Sequence, residues 1–145
     1  MKKHTFKRIG AAAVLLGGLV QVAQAHTIAS GLGAAPGSAD QWYLLCPSTT
    51  AKVVGSVKET LTPGDATQIN LQVISLHVPG GAANTTAPNT GAFSGTTKVA
   101  AKGGVYRVLV DKTAGTAEAY SATVHCLNAS EVEVTQGEPV LLQNH

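Results

Sequence analysis

From residue 41 onward the chain is written in short runs whose apolar residues recur at every second position, each run closed by Gly, Pro, Asn or Asp. A period of two sends successive side chains to opposite faces of an extended backbone, so each run has one face to bury and one to show. No segment after residue 25 carries an apolar period near 3.6, which argues against a helical bundle. The runs fall at Gln41–Cys46, Ala51–Thr60, Gln68–Val78, Thr96–Ala101, Val105–Lys112 and Ala119–Leu127, with shorter ones at Glu131–Thr135 and Val140–Leu142. Pro47-Ser48, Pro63-Gly64-Asp65 and Lys102-Gly103-Gly104 supply turn chemistry between them. About seven short antiparallel strands in one small domain must bury their apolar faces against each other. The predicted fold is therefore all-β, a single β-sandwich or jelly roll. In the third run Ile69, Leu71 and Val73 share one parity and Ile74, Leu76 and Val78 the other, which predicts a β-bulge at Val73–Ile74. Residues Pro79–Gly95 read as a long polar loop with Phe93 as its one anchor.

The amino terminus has a different grammar. Lys2, Lys3, Lys7 and Arg8 precede an uncharged apolar run, Ile9–Val22, and then Ala23-Gln24-Ala25. That is the order of a cleavable secretory signal peptide, so residues 1–25 are expected to be removed and His26 to become the first residue. The run is short for a span of ~20 residues, and no later stretch is apolar enough, so no transmembrane segment is expected in the mature protein. The expected location is periplasmic or extracellular. Residues 26–39, rich in Gly and Ala with Pro36, read as a flexible lead-in to a domain over 40–145. The mature part holds six Lys and Arg against eight Asp and Glu, a net charge of −2. With no basic face to neutralise phosphates, nucleic acid is excluded as a partner. A component of the cell envelope, another protein or a carbohydrate is the expected kind.

Cys46 and Cys126 are the only cysteines. An isolated pair in an oxidising compartment forms a disulfide, and closing so long a loop stabilises the fold by about 4 kcal/mol by the chain-entropy relation. By parity the two share faces with Trp42 and Tyr120, placing the bridge beside two aromatics.

Several strand patterns occur in a fixed order. Asp40-Gln41-Trp42-Tyr43 opens an aromatic strand; Lys52-Val53-Val54-Gly55-Ser56-Val57 and Ile69-Asn70-Leu71-Gln72-Val73 follow; Gly104-Val105-Tyr106-Arg107-Val108-Leu109-Val110 and Tyr120-Ser121-Ala122-Thr123-Val124 come late. From Ala39 to Cys126 this order resembles the bacterial pre-peptidase C-terminal (PPC) type of β-sandwich. The resemblance implies a non-catalytic module that aids export, stability or substrate contact. The acidic central strand of that family, often tied to calcium, is replaced here by Asn70 and Gln72, so no calcium site is carried over.

The same residues admit chemistry of their own. His26, as a new amino terminus, would offer its α-amine and imidazole to one Cu(II), with His77, His125 or His145 as the second ligand. A copper-binding protein is thus the first alternative to a non-catalytic module without a cofactor. The mature part has no Met, which excludes a Met-rich Cu(I) site. A small secreted hydrolase is the weaker alternative: Gly-x-Ser-x-Gly and His-Glu-x-x-His are both absent. Glu131 and Glu133 would lie beside each other on one strand face, as a solvated edge does, rather than across a cleft. Of the mature aromatics, Tyr43 and Phe93 are the two expected to serve a binding surface.

Overall fold

The computed structural model describes residues 26–61, 63–100 and 102–144. The signal-like segment 1–25 and the candidate ligand His145 lie outside the described residues. Among them the chain forms nine strands: β1 (His26–Leu32), β2 (Ala39–Cys46), β3 (Lys52–Glu59), β4 (Ile69–Ser75), β5 (Ala82–Thr86), β6 (Thr97–Ala100), β7 (Gly104–Lys112), β8 (Glu118–Leu127) and β9 (Val140–Gln143). They make two antiparallel sheets packed face to face, one of four strands in the order β1-β8-β3-β6 and one of five in the order β5-β4-β7-β2-β9. No helix among the described residues is long and apolar enough to cross a membrane.

The alternation in the sequence becomes the inside and outside of this sandwich. β4 buries Ile69, Leu71, Val73 and Ser75, β7 buries Tyr106, Val108, Val110 and Lys112, and β8 buries Glu118, Tyr120, Ala122, Val124 and Cys126. Only β4 and β5 are both consecutive and paired; every other connection carries the chain from one sheet to the other. The two layers are therefore stitched together along their whole length. At Gly55 of β3 a Cβ would stand 2.9 Å from Leu71 Cδ2 and 3.2 Å from Val73 Cγ2, so glycine lets the opposing sheet approach there.

Two cross-links join β2 to β8 across the core, both spanning 80 residues. One is the Cys46–Cys126 disulfide, with its Cα atoms 5.8 Å apart. The other is a hydrogen bond in which the Tyr120 hydroxyl donates to Asp40 Oδ2 at 2.8 Å. Trp42 Nε1–H donates to the same hydroxyl at 2.9 Å. Asp40 is 0% exposed, so its carboxylate depends on such donors in place of water. Burial and the neighbouring Asp40 charge push the Tyr120 phenol far above its usual range. A disulfide of this kind fits a location outside the cytoplasm.

The structure departs from the sequence expectations in four places. Residues 26–32 are not a flexible lead-in: they form β1, paired with β8 from His26↔Val124 to Leu32↔Glu118, with Ile28 and Leu32 in the core. The polar loop 79–95 contains β5, which pairs with β4 through Asn70↔Thr86 to Ile74↔Ala82. No bulge forms at Val73–Ile74, because the chain leaves the sheet at Ser75 and the change of parity falls in a turn. Ser75 Oγ accepts the Val78 N–H there at 3.0 Å. The expected strand 131–135 is a tight turn and one isolated bridge, Leu127↔Glu133. Asn128 Oδ1 accepts the N–H groups of Ser130 and Val132, and Glu131 takes φ 63°.

Candidate functional site

The three described histidines point to three different places. His26 faces inward from the end of β1, is 9% exposed, and holds Glu138 Oε2 at 3.1 Å through Nδ1. His125 faces outward from β8 and meets Glu133 Oε1 at 2.9 Å. It is thus on the opposite face of the sheet that carries His26. His77 belongs to the turn after β4, in the other sheet. Its ring stands edge-on to Tyr106 with centroids 5.2 Å apart, lies over Gly104, and brings Nε2 within 3.3 Å of the Lys102 carbonyl oxygen. A carbonyl accepts, so Nε2 carries the proton there and is spent on the turn. The structure does not bring His77 or His125 to His26. No imidazole among the described residues is hydrogen-bonded to a Ser or Thr hydroxyl, so the hydrolase alternative gains no nucleophile–base pair.

The late carboxylates also disperse. Glu131 pairs with Lys52, whose ammonium holds the Glu131 carboxyl below the usual range, while Glu133 pairs with His125. The expected solvated pair on one strand face is two separate contacts.

Sequence parity does bring one acidic group together. Glu59 ends β3 and Glu118 begins β8, both facing inward at 2% exposed, and with Asp65 their carboxylate oxygens lie within 4.8 Å of one another. Thr67 N–H donates to Asp65 Oδ1 and Thr116 Oγ1 donates to Glu118 Oε1. Lys112 is buried, donating to the carbonyls of Gly33 and Thr116, the residue that also holds Glu118. All-oxygen donors of this kind suit a hard cation such as Ca²⁺ rather than Cu(II). The sequence reading missed this group. Its signal was there: Glu59 has the parity of Val53 and Val57, and Glu118 that of Tyr120 and Val124.

The outer face of the five-stranded sheet collects a different set. Register sets its rows across the strands. One row runs Ala82, Ile74, Arg107, Tyr43 and Val140 over β5, β4, β7, β2 and β9. The next runs Asn84, Gln72, Leu109, Gln41 and Gln143, and a third Thr86, Asn70 and Asp111. The third row is satisfied internally: Thr86 Oγ1 donates to Asn70 Oδ1, and Asn70 Nδ2 donates to Asp111 Oδ1, both at 2.8 Å. Gln41 Nε2 donates to Gln143 Oε1 at 3.0 Å.

Arg107 is the exception on this face. Its Nε is buried without a hydrogen-bond partner, and its guanidinium joins no ion pair among the described residues. A half-buried cation left without a partner is uncommon, because desolvation without compensation destabilises the protein. Beside it, Gln72 and Asn84 line a shallow open depression with Ala82 and Ala83. Tyr43 stands half-buried in register with Arg107, a residue the sequence reading did not single out. Phe93 does not join it: its ring sits under the Lys58 ammonium, 4.9 Å from the centroid, beside the other sheet. No protein-family model, curated protein or solved structure matches this chain.

Proposed function

We propose that this chain is an exported, non-catalytic β-sandwich protein that holds a partner against the outer face of its five-stranded sheet. One observation carries the reading: Arg107, a cation with no ion-pair or side-chain hydrogen-bond partner among the described residues, at the centre of a flat face between Tyr43 and Ile74 and beside the Gln72 and Asn84 amides. A face built to be merely solvated would place its charges at the rim, fully hydrated or paired. The signal-like leader and the disulfide support a role outside the cytoplasm. The strand patterns that resemble the pre-peptidase C-terminal type of module support binding without turnover.

The test is a titration of the isotope-labelled mature protein, followed by amide resonances. The panel holds an acidic polysaccharide, a neutral polysaccharide, peptidoglycan fragments and an extended peptide. The expected result is a set of shifts confined to the outward residues of β4, β7 and β2, with every added compound recovered unchanged. Shifts elsewhere, no shift with any compound, or a cleaved product would overturn the proposal.

A further inference from the structure

We propose that the partner on this face is a carboxylate-bearing polysaccharide, a chain of uronic acid units, and that Arg107 is the residue that reads its charge. The inference rests on the outer face of the five-stranded sheet being the binding surface.

The argument begins with the state of Arg107. Nε is covered and has no acceptor. The two Nη groups have no acceptor among the described residues either and are not among the buried unsatisfied atoms, so they remain in contact with solvent. That is the end of the guanidinium fork that takes a carboxylate in two parallel hydrogen bonds. The only other charge in the three rows is Asp111, and Asn70 already donates to it. The face therefore presents one uncompensated positive charge on a mature protein whose net charge is −2. The complement of that charge is a single carboxylate at a fixed position.

The surroundings define what carries the carboxylate. The side-chain amides of Gln72 and Asn84 make no hydrogen bond to another described residue and line the adjoining depression. A side-chain amide both donates and accepts, which matches the hydroxyls of a sugar. Tyr43 and Ile74 flank Arg107 in register and supply apolar surface for a pyranose ring. Five strands at the usual spacing make this face about 19 Å wide, open and shallow, a shape for an extended chain rather than an enclosed small molecule.

Two other occupants fit less well. An anionic membrane is held by several cations acting together, each worth about 1 kcal/mol. Lys52, Lys58 and Lys98 lie on β3 and β6, in the other sheet. An extended peptide is held by an unpaired strand edge, whereas Ile74, Arg107 and Tyr43 lie on β4, β7 and β2, each already paired on both sides.

The experiment is affinity electrophoresis of the mature, oxidised protein in native gels containing polygalacturonate, its fully methyl-esterified form, or dextran. Polygalacturonate is expected to retard the protein, and added salt to release it. Esterification keeps the sugar backbone and removes the charge, and is expected to weaken retention at least about tenfold. Arg107→Ala is expected to weaken retention by polygalacturonate about 10- to 100-fold. Arg107→Lys is expected to restore only part, since an ammonium is a point charge and not a fork. Both variants are expected to keep the wild-type thermal midpoint, which separates lost binding from lost fold. Galacturonic acid monomer is expected to compete only at far higher concentration than the polymer.

If acid and ester retard the protein alike and Arg107→Ala is silent, while Tyr43→Ala or Gln72→Ala abolishes retention, the carboxylate inference is overturned and the binding face survives. If retention depends on Lys52, Lys58 or Lys98 and not on Arg107 or Tyr43, both are overturned. Equal potency of monomer and polymer overturns the chain as ligand. No retention by any of the three overturns the inference, and the resonance titration then decides the face by itself.

Discussion

Replacing Tyr120 by Phe removes one oxygen from the centre of the sandwich and with it two hydrogen bonds. The hydroxyl donates to Asp40 Oδ2 and accepts from Trp42 Nε1. A hydrogen bond to a charged group is worth about 1.5–3 kcal/mol and a neutral one about 1 kcal/mol. Trp42 is half-buried and its N–H recovers part of its loss from water; Asp40 is fully buried and does not. The expected loss is therefore about 2–4 kcal/mol, dominated by the Asp40 bond. For a domain of this size that lowers the thermal midpoint by about 8–16 °C. Thermal unfolding of the oxidised mature protein, followed by far-ultraviolet circular dichroism, measures it. Asp40→Ala and the double variant complete a cycle, and the two effects should fail to add by about 1 kcal/mol or more because they remove one shared contact. A midpoint within about 2 °C of wild type, or two effects that simply add, would refute the claim that this bond ties β2 to β8.

Three further outcomes follow from the same geometry. Burial and Asp40 raise the Tyr120 phenol and burial raises that of Tyr106, so folding favours their protonated forms. This contribution is complete below about pH 10, the unfolded tyrosine value, and is lost as pH rises above it, for Tyr120 by about 1.4 kcal/mol per pH unit. Spectrophotometric titration should show the Tyr120 phenol ionising only as the near-ultraviolet dichroism disappears; phenolate from all three tyrosines in an intact fold would contradict this. Gly104 has φ 146°, and a Cβ there would stand 2.5 Å from His77 Cε1. Gly104→Ala should cost about 2 kcal/mol or more in denaturant unfolding, and an unchanged midpoint would show that the His77 ring is not packed as described. His77→Ala and His125→Ala should leave the Cu(II) affinity of the mature protein unchanged, since neither ring reaches His26; a several-fold loss in a copper titration with either would restore a shared site.

What the sequence determined by itself is the set of features that depend on parity and on chain chemistry. Alternation marked β2, β3, β4, β7 and β8 and put Trp42, Cys46, Tyr120 and Cys126 on buried faces, because a period of two is a property of the extended backbone whatever it packs against. The cysteine pair was legible for the same reason: only one pairing of two exists. β1 and β5 were not legible. Each lies at the edge of its sheet, and β5 has the sequence Ala-Ala-Asn-Thr-Thr, without a large apolar residue. A strand such as β5 is recruited by the backbone donors and acceptors of β4 rather than by its own side chains. The candidate site lay further from reach. Arg107 and Tyr43 each had the outward parity of their strands, but their row depends on β4, β7 and β2 being neighbours, and those strands are distant in the chain and separated by crossings to the other sheet. Which strand pairs with which is a non-local choice, settled by how two apolar faces close over one core. Only the tertiary structure placed an arginine, a tyrosine and two free amides on one flat surface, because only strand order brings residues 43, 72, 84 and 107 together.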